Sequence, residues 1–172
     1  FWKKQYDGKH GYEILADNTV EELKHIHAVY DLAKEQGDIT DSSYEALEKR
    51  WKDENAERSK KVEKGEVIYG LKEYTFQLYL DYEISTLKEK YCNDTNREGM
   101  KLTEDEIQEH YQSREWIFGD SDENADLEMA RIAVERELRE QKYDDMITQR
   151  ETDSQVAGNM ENVNRLTLKN IQ

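Results

Sequence analysis

Not one of the 172 residues is proline, and the eight glycines leave long stretches of chain uninterrupted. Proline removes a backbone donor and clashes with the preceding turn, so its absence takes away the usual helix breaker. Charged residues make up 38% of the chain and hydrophobic ones 35%. That leaves little material for a thick core and suits long amphipathic helices, each burying one apolar stripe. A net charge of −15 raises disorder as the alternative. Eleven tyrosines, three tryptophans and three phenylalanines at helical spacing argue against it. The expected fold is all-α, with about five amphipathic helices of unequal length in one domain, 1–172. An aromatic N-terminal arm (1–16) and a C-terminal arm (153–172) flank it.

The local signals place these helices. Asp17, Asn18 and Thr19 offer caps for a first helix over residues 18–36, ended by Gly37. A second starts at 40–43, where Thr40 and Ser42 compete as cap, and ends at Gly65. Its second half is nearly devoid of apolar residues and is expected to project into solvent. Thr75 caps the third, with Tyr74 and Tyr79 spaced as a hydrophobic staple. Phe76, Tyr79, Leu80, Ile84, Leu87 and Tyr91 form its core face, widened by Leu78 and Tyr82. Thr103 and Glu106 have capping-box spacing at a short fourth helix. A fifth covers 125–150, with Leu127, Ala130, Val134, Leu138 and Met146 on one face and Ile132, Tyr143 and Ile147 beside it. In the tail, RLTLKNI alternates briefly, as a strand or a partner-dependent arm would.

Few residues carry a chemical signature. His25 and His27 stand two apart, which sends them to different faces of a helix and denies them a shared metal. The run from Asp120 resembles the start of a calcium loop. However, Ala125 replaces the turn glycine and Arg131 the closing glutamate, so it reads as a solvated loop leading into a helix. Cys92 is the only cysteine, which forbids an internal disulfide, and no nearby base marks it as a nucleophile. There is no Gly-rich phosphate loop and no nucleophile elbow, so no cofactor, metal or catalytic residue is expected. An unrecognised helical enzyme is the third reading. The acidity opposes nucleic acid as a partner, because phosphate binding requires clustered Lys and Arg. No apolar run is long enough to span a membrane, and a signal sequence or membrane anchor would have to lie upstream of Phe1.

LTEDEIQEHYQSREWIF, then an acidic gap, then ADLEMARIAVERELREQKYDDMI, resembles the SurA N-terminal and PrsA-type chaperone domains, which are related to the peptide-binding part of trigger factor. Thr103, Ile107 and Tyr111, then Ala130, Arg131, Leu138, Lys142 and Tyr143, stand at the matching positions. The stretches FWKKQYDG, YEALEKRWKDENAER and VIYGLKEYTFQLYLDY are similar to a Gram-positive branch of such proteins. Most of those relatives carry a parvulin prolyl-isomerase domain, and nothing here supplies one. The resemblance implies a non-catalytic module for unfolded or exported polypeptides, in an extracytoplasmic location. The expected cleft residues are Tyr74, Tyr79, Tyr82, Trp116 and Phe118, since amphipathic rings give contact area at low entropic cost. For Trp116 to Phe118 a plug tying helices to the core is the favoured alternative to a rim. A structural module without a client, dimerised through exchanged arms, is the second reading for the whole chain.

Overall fold

A computed structural model describes residues 1–120, 122–154 and 158–171. Ser121 of the acidic gap and residues 155–157 and 172 of the C-terminal arm lie outside the described residues. The described chain forms a two-stranded hairpin, β1 (Gln5–Tyr6) and β2 (Lys9–His10), followed by six α-helices. These are α1 (Gly11–Glu35), α2 (Tyr44–Glu63), α3 (Phe76–Asn93), α4 (Glu104–Gln112), α5 (Leu127–Asp153) and α6 (Met160–Asn170). The all-α expectation holds. No described helix is long and apolar enough to cross a membrane.

The first difference from the sequence reading is at the N-terminus. Asp7 and Gly8, both at positive φ, make the tight turn that an Asp-Gly pair favours between short antiparallel strands. α1 therefore starts at Gly11, well before residue 18, with His10 N donating to Glu13 Oε2 at 2.7 Å. Asp17, Asn18 and Thr19 lie inside the helix, where the Thr19 hydroxyl donates to the Leu15 carbonyl. That local bond explains how a cap-like triplet sits in a helix interior. Phe1 stacks edge-on against Trp2 and stays exposed.

At α2 the cap is Ser43, not Thr40 or Ser42, and Asp41 Oδ1 accepts from Ser43 N. α3 and α4 follow their signals. Thr75 and Thr103 cap them, Thr103 and Glu106 form the capping box, and Tyr74 meets Tyr79 at 6.2 Å as the staple. The tail forms α6, capped by Asn159 and packed on α1, so RLTLKNI is not a strand.

α1, α3 and α5 pack pairwise around the main core, with α2 against α3 and α4 against α5. Val29, Tyr30, Leu32, Leu80, Leu87, Tyr91, Tyr143 and Ile147 fill that core. Full burial of a side chain such as Ile147 contributes about 1.5–3 kcal/mol. A second, smaller core under α4 consists of Ile107, Trp116, Ala130 and Val134.

Candidate functional site

The main core contains a buried carboxylate, on Glu83 of α3. Tyr30 OH donates to its Oε2 at 2.6 Å and Tyr79 OH to its Oε1 at 2.8 Å. Arg50 of α2 reaches both oxygens through Nε and Nη2, at 2.8 and 3.0 Å. Burial, reinforced by the neighbouring carboxylate, pushes both tyrosine pKa values well above their ordinary range and keeps the phenols protonated as donors. Each carboxylate oxygen accepts two donors, so the group ties α1, α2 and α3 together.

Beside it lies the tyrosine cluster. Tyr74 and Tyr82 stack at 5.2 Å, and Tyr79 meets each of them at 6.2 Å. Arg58 of α2 caps Tyr74 from 4.5 Å and donates to the Tyr69 and Leu71 carbonyls. Trp51 Nε1 and Asn55 Nδ2 both donate to the Tyr74 carbonyl. Trp51, Asn55 and Arg58 thus clamp the loop over residues 65–75, while the last turn of α2, residues 59–63, is exposed to solvent as expected.

The five expected cleft residues do not come together. Tyr74, just before α3, shares a cluster with Tyr79 and Tyr82 of α3, while Trp116 belongs to the α4–α5 core. Tyr79 is 5% exposed and Trp116 3%, so both are interior packing. Trp116 Nε1 donates to the Tyr111 carbonyl, and its backbone is held by Asn124 and Ala125, which makes it the plug. Phe118, 41% exposed, lies outside that core. It lines a shallow groove of about 290 Å³ with Met129, Ile132, Ala133 and Arg136 of α5. Ile132 (85% exposed) and Met129 (71% exposed) present large apolar side chains to water there. Periodicity alone assigned Ile132 to the margin of the core face, and Met129 carried no signal at all. This groove is the candidate contact surface, because its large apolar side chains face water.

α4 is fastened to α5 by ion pairs. Arg131 forks onto Glu104 at 2.9 and 2.7 Å, and Lys142 reaches Glu106. The Lys142 ammonium and the Thr103 donors hold the Glu106 carboxyl down at about 2, against an ordinary 4.5. A carboxyl depressed on folding stabilises fully above its unfolded value and loses that contribution as pH falls toward the folded one. Acid titration from pH 4.5 to 2 should therefore loosen α4, read by Trp fluorescence. Glu106→Gln should flatten that acid slope; an unchanged slope would exclude Glu106 as its source.

Cys92 is buried, and loss of solvent pushes its thiol up to about 11. That is the reverse of nucleophile activation. Among the described residues no group of three or more His, Cys, Asp or Glu side chains is placed to hold a metal ion. His25 Nδ1 is instead paired with Glu151 at 2.6 Å, and Asp126, at the end of the calcium-like run, caps α5.

The chain is similar to a chaperone. It is 30% identical over 149 residues to a protein of Bifidobacterium longum subsp. longum named "Chaperone for lacto-N-biosidase". The match takes in 87% of this chain and 53% of that protein, so the chain spans about half the length of the curated relative it matches. The fold also occurs in a solved structure, a GH136 lacto-N-biosidase from Eubacterium ramulus. There the TM-score is 0.61 at 19% identity, over 85% of this chain and 29% of that one. No family model matches. Neither similarity is to a SurA, PrsA or trigger factor protein.

Proposed function

We propose that this helical domain is a folding partner for a glycoside hydrolase of the lacto-N-biosidase kind. It binds the incompletely folded enzyme through apolar surface and carries out no covalent step. The observation that carries this reading is the 30% identity over most of the chain to a chaperone named for that enzyme. The groove around Phe118, Met129 and Ile132 is the proposed client contact, with the stacked Tyr74–Tyr82 pair as a second one. Exposed methionine and aliphatic side chains adapt to an imperfectly packed partner, and the acidic remainder of the surface keeps a complex in solution. The extracytoplasmic location implied by the SurA-type resemblance belongs to the same proposal. A chain with one cysteine needs no disulfide to fold there.

Co-expression of the Bifidobacterium longum lacto-N-biosidase with and without this chain tests the proposal. Soluble, active enzyme should rise with the chain present. Ile132→Asp with Met129→Asp should abolish most of that gain, since central apolar anchors contribute about 2 kcal/mol or more, roughly 30-fold in binding. Exposed positions leave melting nearly unchanged. Equal yields of active enzyme with and without the chain would refute the reading.

One observation favours a second role within this reading. The same fold makes up part of a lacto-N-biosidase chain, which suits a module that stays bound after folding. A folded enzyme that co-purifies with the chain would favour a permanent subunit. A folded enzyme free of it would favour a releasing chaperone.

A further inference from the structure

α6 is held unlike every other helix. α1 and α5 are joined by Arg150–Glu35 and His25–Glu151, α3 and α5 by Lys88–Asp144, α2 and α3 by Arg50–Glu83, and α4 and α5 by Arg131–Glu104. Among the described residues no side-chain hydrogen bond or ion pair joins α6 to α1. The α6 side-chain bonds stay within the helix and its cap, at Glu161–Asn159 and Arg165–Asn162. No residue of α6 is fully buried. Its half-buried side is Met160, Val163, Asn164, Thr167 and Leu168, one stripe at helical spacing. In that stripe Asn164 Oδ1 is buried with no hydrogen-bond partner, which weakens the docked state. At the start of α6, Gly158 and Met160 share a cavity with Asp17, Val20 and Lys24 of α1. The contact is imperfectly filled even there.

Charge completes the picture. α6 carries Arg165 and Lys169 against Glu161, one net positive charge on a chain of −15. α1 as a whole has six carboxylates against two lysines, and two of them, Asp17 and Glu21, border the cavity at the start of α6. The face of α1 accepts a mildly basic amphipathic helix, and α6 is a weak example of one.

We propose that α6 is a displaceable cover, and that the α1 face beneath it receives a neutral-to-basic amphipathic helix of the client in its place. An incoming helix with an apolar residue at the register of Asn164 removes the unpartnered carbonyl and outcompetes α6. The identity of the incoming helix rests on the folding-partner reading; the exchange itself does not.

The test uses the full chain and a fluorescein-labelled peptide of the α6 sequence, Met160–Asn170. Val163→Asp with Leu168→Asp undocks α6 without touching the main core. A covered site lowers apparent affinity by the fraction of time it stands open. The double variant should therefore bind the peptide at least about 10-fold more tightly than wild type. A peptide with Asn164→Leu should bind more tightly still. In wild type, α6 amides should exchange with solvent at least about 100-fold faster than those of α3. Equal peptide affinity in wild type and variant would overturn the proposal, as would α6 amides protected like those of α3. Loss of global melting in the double variant would make α6 part of the core and also overturn it. A dimer of the variant in sedimentation, formed without peptide, would assign the face to a second copy of the chain instead.

Discussion

Replacing Glu83 by alanine is expected to destabilise the domain by about 3 kcal/mol, a fall in melting temperature of about 6–12 °C. The reason is what remains behind. Arg50 keeps a desolvated guanidinium, and Tyr30 and Tyr79 keep buried hydroxyls that have lost their acceptor. Removing one partner of a buried pair is far more damaging than removing both. The figure sits at the low end for such pairs because the Arg50 side chain is a quarter exposed and regains some hydration. Glu83→Gln keeps the volume and one carbonyl acceptor, so it should lose roughly half as much. Arg50→Met combined with Glu83→Leu should melt above the alanine variant, because contacting residues do not add. Denaturant unfolding of the four proteins checks the set. An alanine variant within about 0.5 kcal/mol of wild type would show that the network is decorative.

Glu83 also shows where sequence reading stops. The caps at Thr75 and Thr103 and the Tyr74–Tyr79 staple were legible because each is a contact between residues three to five apart. The core face of α3 was legible from its period. Glu83 sits on that face, yet a carboxylate in a stripe reads as surface until its partners are known, and two of the three lie 53 and 33 residues away. α6 was missed for a related reason. Leu166 and Leu168 suggest an alternating strand, while the stripe that docks includes Asn164 and Thr167, which no hydrophobic pattern counts. The candidate surface was half legible. Aromatic content pointed to Trp116 and Phe118 together, but only the fold separates the interior ring from the exposed one. Met129 and Ile132 become notable only once α5 is seen to bury its opposite face.

That separation leads to the last expected result, in which two neighbouring aromatics fail in different ways. Trp116→Ala empties the centre of the α4–α5 core, where Ile107, Ala130 and Val134 close around the indole. It also removes the bond to the Tyr111 carbonyl and the Arg114 guanidinium stacked 4.2 Å above the ring. Large-to-small changes at such sites cost about 3–5 kcal/mol. A nine-residue helix has little stability of its own, so α4 should unfold ahead of the α1–α3–α5 core. Amide exchange should speed up over residues 103–118 and stay slow in α3. Phe118→Ala removes a ring already 41% exposed and should cost under about 1 kcal/mol of stability. If the groove on α5 is where the client binds, however, this variant should lower the yield of active lacto-N-biosidase in co-expression several-fold, with melting unchanged. Trp116→Ala should lower that yield only as far as it unfolds α4, and it should recover at low temperature. Recovery of the Phe118 variant on cooling, or equal behaviour of the two, would move the client contact away from this groove. The Tyr74–Tyr82 face would then be the next surface to test.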